Sequence, residues 1–259
     1  MKILNKILDY KKTDQIKDGE KMERLNQLFR LVILIAALSL SLLPVPAFAD
    51  PIIDFNVIAP ATGTISYSGG VSPLVGSQIS VNNVVGIGTL ANDGITRLCY
   101  SCTLNFTTGN FSGNDATHWY FSTGGSITLT GGIDLNGNGN TTDPGDIPVG
   151  TTLLTGSFTE ISQVTKFGSN LKIAGALFED TKDAKLTDFY GMPNGQYEGG
   201  FNLSFQAPGT PPSGFTSTLV NSGDITNASV PEPASLLLLG SGLAGLGLWG
   251  RKKFKSGKT

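Results

Sequence analysis

Between Gly63 and Ala207 the chain runs in short stretches rich in Val, Ile, Thr, Phe and Tyr, each closed off by Gly, Asn, Ser or Pro. No stretch of the body sustains a helical period. Several alternate instead. In Ser126–Leu135, Ile127, Leu129, Gly131 and Ile133 fall on one side, with Ser126, Thr128 and Thr130 on the other. In Phe201–Phe205, Phe201, Leu203 and Phe205 oppose Asn202 and Ser204. A period of two is what a sheet with one wet face requires, because successive side chains of a strand point to opposite faces. Eight segments read this way: Gly63–Gly69, Gln78–Ile87, Cys102–Gly109, His118–Gly124, Ser126–Leu135, Thr152–Val164, Leu171–Glu179 and Gly199–Ala207. Together they predict an all-β fold, a β-sandwich of jelly-roll type. No repeat of fixed length is present, which disfavours a solenoid. Glu179–Gly191 reads as a short helix or a loop, and Ala207–Phe215 as a proline-rich loop.

The two ends of the chain have a different character. Leu31–Leu43 is apolar and follows Arg24 and Arg30; Pro44 and Pro46 then stop the helix. Ala47-Phe48-Ala49 supplies a small-x-small cleavage pattern ahead of Asp50. This is the pattern of a secretory signal peptide, cut by signal peptidase. Its n-region is long, with eight basic and five acidic residues over Met1–Arg30, and Met22 offers an alternative start. At the other end, the 17 residues Ala234–Gly250 carry no charge, and Arg251, Lys252, Lys253 and Lys255 follow. As a helix this stretch is roughly 25 Å long, a short span for a bilayer core of about 30 Å. The basic cluster holds its end on the cytoplasmic side. Gly240, Gly242 and Gly245 match the G-x-G-x-x-G spacing of a dinucleotide loop. No acidic residue follows them, and too little chain remains for the second strand that such a site needs.

Val230-Pro231-Glu232-Pro233 stands immediately before the apolar run. Its prolines keep the backbone extended and out of the helix, which leaves an accessible strip just outside the membrane. The order Pro-Glu-Pro, short apolar helix, basic tail resembles the PEP-CTERM sorting signal of Gram-negative bacteria. That resemblance covers the last part of the chain only. It implies recognition by an exosortase at Pro231, Glu232 and Pro233, transient residence in the inner membrane, and delivery to the cell surface or an extracellular matrix. The expected organisation is a signal peptide over residues 1–49, a β-sandwich domain over 50–216, a last strand and linker over 217–230, and a sorting signal over 231–259. A helix at each end, one for export and one for the membrane, is outside the sandwich.

The tails conceal the charge of the cargo. Asp50–Ser229 holds 5 basic and 14 acidic residues, a difference of −9, against −2 for the whole chain. Such a surface repels phosphate backbones and excludes nucleic acid as the expected partner. Cations and neutral sugars, an exopolysaccharide among them, suit it better.

Within Ile133–Pro148, Asp134, Asn136, Asn138 and Asn140 recur at a spacing of two with Gly139 among them, and Asp143 and Asp146 follow. This matches the first half of an oxygen-lined calcium loop, in which short side chains converge as the chain curls. The glutamate expected at the last ligand position is missing, so weak calcium binding is the expectation. The plainer reading of the same residues is a polar hairpin that binds nothing. Cys99 and Cys102 are three apart. On a straight strand their Cα atoms would stand roughly 10 Å apart, too far for a bridge. A disulfide, the reading favoured for an exported protein, therefore requires a tight turn at Tyr100-Ser101.

Signs of an enzyme are few. His118 is the single histidine, no nucleophile elbow is present, and no pair of carboxylates stands out for glycoside hydrolysis. Trp119, Tyr120 and Phe121 read as core residues or, alternatively, as a sugar-stacking platform. The expectation is a non-enzymatic exported protein with a structural or adhesive role. The alternatives are a calcium-aided carbohydrate-binding module and, further off, a secreted hydrolase.

Overall fold

A computed structural model of the protein describes residues 50–230. The signal segment with its Ala47–Ala49 cleavage pattern lies outside the described residues, as do the apolar C-terminal run and its basic tail. Asp50, the first described residue, is exposed. The strands are β1 (Ile52–Val57), β2 (Thr64–Tyr67), β3 (Pro73–Ser80), β4 (Asn83–Ile87), β5 (Thr96–Asn114), β6 (His118–Phe121) and β7 (Gly124–Ile133). They continue with β8 (Ile147–Phe158), β9 (Ser162–Phe167), β10 (Asn170–Lys182), β11 (Tyr197–Gln206), β12 (Phe215–Thr216) and β13 (Leu219–Ser229), and a short helix, α1 (Ala184–Tyr190), lies between β10 and β11.

All ladders are antiparallel and join into one continuous sheet. From β5 the pairing passes through β4, β1, β13, β11, β10, β8 and β7, and returns to β5. The circuit therefore closes, and its own strands are left with no edge against which another chain could pair along their circuit ladders. Sequence alternation anticipates the strands, whereas the ladders do not divide into the two separate sheets of a simple sandwich. The reason is the length of β5. Its 19 residues give it β4 and then β3 on one side, β7 and then β6 on the other. β2 and β12 extend the sheet outward from β3, and β9 joins β6 to β10.

Two sequence segments each divide into a pair of strands. Gln78–Ile87 breaks at Val81-Asn82, where the backbone N–H groups turn to Cys102 and Asn56 carbonyls and the chain changes partners. Thr152–Val164 breaks between β8 and β9. Glu179–Gly191 forms both the end of β10 and helix α1. Asp183 caps the helix by accepting from the Lys185 and Leu186 N–H groups, and Gly191 ends it in the left-handed region at φ 65°.

Inward-facing aromatics fill the space within the circuit. Phe106 of β5 meets Phe201 of β11 and Phe158 of β8 edge-on, and Phe158 meets Phe178 of β10. A second group gathers Tyr67, Phe111, Phe121, Trp119, Phe205 and Phe215. Glycine lets β3 lie close over one of these rings: a Cβ on Gly76 would sit 2.0 Å from Phe106.

Candidate functional site

β13 carries the chain to the processing region. It lies between β1 and β11, and its pairing holds to the end, with Ser229 opposite Tyr197 and the Val230 N–H donating to the Gln196 carbonyl at 3.2 Å. The last paired residue thus immediately precedes Pro231. Pro231, Glu232, Pro233, Arg251, Lys252 and Lys253 lie outside the described residues. Among the described residues no helix is long and apolar enough to cross a membrane.

The Asp134–Asp146 loop is closed by its own hydrogen bonds. Asp134, 4% exposed, accepts the Gly137 N–H at 2.6 Å and the Gly139 N–H at 2.5 Å. Burial opposes its charge, yet these N–H groups, that of Asn138 and the nearby Arg97 prevail and hold its carboxyl below the ordinary carboxylate value. Asp146, 2% exposed, accepts the Leu135 and Asn136 N–H groups at 2.8 and 3.2 Å and the Asn136 carboxamide at 2.9 Å. Asp143 receives the carboxamides of Asn138 and Asn140. Asn136, Asn138 and Asn140 in turn accept N–H groups two residues on, a run of Asx turns. Alternate side chains do converge as the spacing anticipates, but here their partners are amide hydrogens. Among the described residues no group of three or more His, Cys, Asp or Glu is placed to hold a metal.

Cys99 and Cys102 are joined by a disulfide with Cα atoms 5.5 Å apart. The closeness comes from a bulge in β5 between Tyr100 and Thr103, where Ser101 adopts φ 52°. Gly131 of β7 makes room for it, since a Cβ there would meet the Cys102 sulfur at 2.1 Å.

At the β5–β6 hairpin, His118 Nδ1 lies 2.7 Å from both oxygens of Asp115, and the Tyr120 hydroxyl donates to the same carboxylate at 2.8 Å. The Thr117 N–H, then Tyr120 and His118, hold Asp115 well below the usual carboxylate range. Trp119 and Phe121 point the other way, into the core, and the Trp119 indole N–H donates to the Ser213 carbonyl. The three aromatics therefore do not make one exposed platform.

On the outer face of the sheet, Asn56, Asp224 and Asn202 stand in a row across β1, β13 and β11. With Lys172, Ser204 and Ser222 they line an open polar groove of about 600 Å³. Asp54, on the same face of β1, is pushed up to about 6, chiefly by burial and then by Asp224, with Asn56 opposing.

One cluster has no counterpart among the residues singled out by spacing or motif. Asp180 and Lys182 of β10 face inward, and both side chains are fully buried. Lys182 Nζ donates to Asp180 Oδ2 at 2.5 Å and lies 4.0 Å from the centre of the Tyr197 ring. Asn227 of β13, 0% exposed, donates its carboxamide N–H to Asp180 Oδ1 at 3.1 Å. It reaches across the intervening strand at Gly199, where a Cβ would stand 2.3 Å from Asn227 Nδ2 and 2.2 Å from the Phe178 ring. Asn227 Oδ1 has no donor among the described residues. The signal in the sequence is a charged pair two residues apart inside an alternating strand. It points inward only because of a bulge further back in β10.

With this geometry in place, the comparisons with known proteins bear on one segment. Residues 229–252 match the PEP-CTERM protein-sorting motif, beginning at the last residue of β13. That motif implies export and transient membrane residence during sorting. No curated protein and no solved structure matches the chain.

Proposed function

We propose that this protein is a non-enzymatic structural or adhesive component of the cell surface or extracellular matrix, released from the inner membrane by an exosortase. The match of residues 229–252 to the sorting motif carries the reading. The physical character of the cargo supports it: an antiparallel sheet without open ends to its circuit, a disulfide, and a net charge of −9 over Asp50–Ser229. Such a domain resists the conditions outside the cytoplasm and stays soluble there. In an exosortase-bearing Gram-negative host, the wild-type protein is expected in the surface or extracellular fraction without its apolar C-terminal segment. Glu232→Ala is expected to leave it in the membrane fraction at full length. Equal release of the variant, or of the wild type from a host lacking exosortase, would refute the reading.

Carbohydrate binding is a second reading, favoured by the polar groove lined by Asn56, Asn202 and Asp224. Amide and carboxylate groups spaced along adjacent strands suit sugar hydroxyls. Glycan-array binding that disappears in Asn202→Ala and persists in EDTA supports a calcium-independent groove site. Loss in EDTA together with Asp134→Ala supports the loop instead.

A further inference from the structure

The Asp180–Lys182–Asn227 cluster puts an amine and a carboxamide on the two oxygens of one carboxyl group, in a site closed to water. Lys182 rests on Oδ2 and Asn227 on Oδ1. Amine and carboxamide thus share a single carboxyl, one on each oxygen, which supplies a nucleophile, an electrophile and a proton relay in one buried cluster. We propose that Lys182 and Asn227 become joined by an intramolecular amide bond, with Asp180 relaying the protons.

The surroundings favour the neutral species that such a reaction needs. Burial pushes the Lys182 amine down to about 8 against the pull of Asp180, and burial raises Asp180 although Lys182 and Asn227 oppose it. A proton passing from the Lys182 ammonium to Asp180 leaves an amine with a free lone pair and a carboxyl with a proton to donate. Asn227 Oδ1 is the buried acceptor that lacks a donor. A half-turn of the carboxamide about Cβ–Cγ brings this oxygen onto the protonated carboxyl, which draws electron density from Cγ.

The steps balance. The Lys182 nitrogen attacks Asn227 Cγ and a C–N bond forms. Asp180 takes a proton from the attacking nitrogen and supplies one to Nδ2. The Cγ–Nδ2 bond then breaks and ammonia leaves. The product is a secondary amide between β10 and β13 with Asp180 as a neutral acid, and no oxidant or reductant is consumed. Gly199 is the geometric precondition, because any side chain there would separate Asn227 from Asp180. Gly156 of β8 serves the same end, since a Cβ there would meet Asp180 Cβ at 2.8 Å.

The position gives the bond a use beyond sorting. β13 is the strand that connects the folded cargo to the processing region, and Asn227 lies two residues before its end. A covalent tie from β13 across β11 to β10 stops this strand from peeling out of the sheet when the C-terminus is pulled.

The test is a tryptic map of the full-length wild-type protein, denatured and reduced before digestion, read by mass spectrometry. The expected product is a branched peptide joining the Lys182 and Asn227 segments, lighter than the two linear peptides together by one ammonia. Lys182 is then not cleaved. Recovery of linear Ile173–Lys182 in full yield overturns the proposal, whatever the protein's location in the cell. Asn227→Asp is expected to give the same branched product with loss of water instead of ammonia. Asp180→Ala is expected to give none, and a branched peptide from it would overturn the relay role. If that variant does not fold, the wild-type map still decides.

Discussion

The Asp134–Asp146 loop and the Asp180–Lys182–Asn227 cluster use the same chemical parts, carboxylates held by N–H donors, on opposite terms. In the loop every N–H donor to the Asp134 and Asp146 carboxylates comes from within a dozen residues, and one outside donor, the Lys185 ammonium, reaches the Asp146 carbonyl. In the cluster one donor to the carboxyl, Lys182, stands two residues away on the same strand, and the other, Asn227, comes from 47 residues away on β13, which does not pair with β10. The carboxylate contacts of the loop are therefore made almost wholly by its own chain. The cluster is a buried tie through the middle of the sheet, and it exists only when β8, β10, β11 and β13 are all in place.

The sharpest way to break this contrast is Lys182→Met. It removes the buried partner of the Asp180 carboxyl and, in the joined protein, the covalent tie as well, and a loss of about 3–5 kcal/mol is expected in urea unfolding. A loss below about 1 kcal/mol would mean that the cluster is no more central than the loop. Gly199→Ala is next. Its methyl would press on both Phe178 and Asn227, and overpacking of this kind costs about 1–3 kcal/mol. The joined peptide should also fall in yield, because Asn227 is displaced from Asp180.

Alkaline pH then separates a joined from an unjoined cluster. With a free amine whose folded value is about 8 against 10.5 in the unfolded chain, the unfolded state holds a proton that the folded state lacks between those limits. Stability would rise with pH across that window. The joined protein has no amine to titrate and is expected to show no such rise. The smallest effects belong to the loop. Asp134→Ala should speed amide exchange at Gly137 and Gly139 and leave strand amides of β10 and β13 unchanged. Added calcium at millimolar concentration should leave the melting temperature where it was, since both carboxylates of the loop interior already accept N–H groups. A calcium-dependent rise in melting temperature that Asp134→Ala removes would establish the cation site.

The alternation of Ile127, Leu129 and Ile133, and of Phe201, Leu203 and Phe205, is enough to assign these residues to the core, because a strand offers only two faces. Ile53, Phe55 and Val57 of β1 obey the same pattern outside the eight segments. The Asx turns of Asn136, Asn138 and Asn140 are also legible, being made by near neighbours. What the loop's carboxylates accept is not, since N–H groups and a cation call for the same spacing. The turn demanded of Cys99 and Cys102 is legible as a condition, and the bulge in β5 is how the chain meets it.

The sequence by itself determined that the body would be sheet, that its local turns would form where Gly and Asn cluster, and that its C-terminus carries a sorting motif. These follow from contacts and recognition along neighbouring residues. Tertiary structure alone decided the closed circuit and the buried cluster. Leu171 and Ile173 face inward at odd positions, and a bulge between Ile173 and Ala176, with Gly175 at φ 64°, shifts the inward phase to Ala176, Phe178, Asp180 and Lys182. A single extra residue exchanges the faces of everything beyond it. Without that shift Glu179 and Thr181 would be the buried pair, and Asp180 and Lys182 would be in water, far from Asn227.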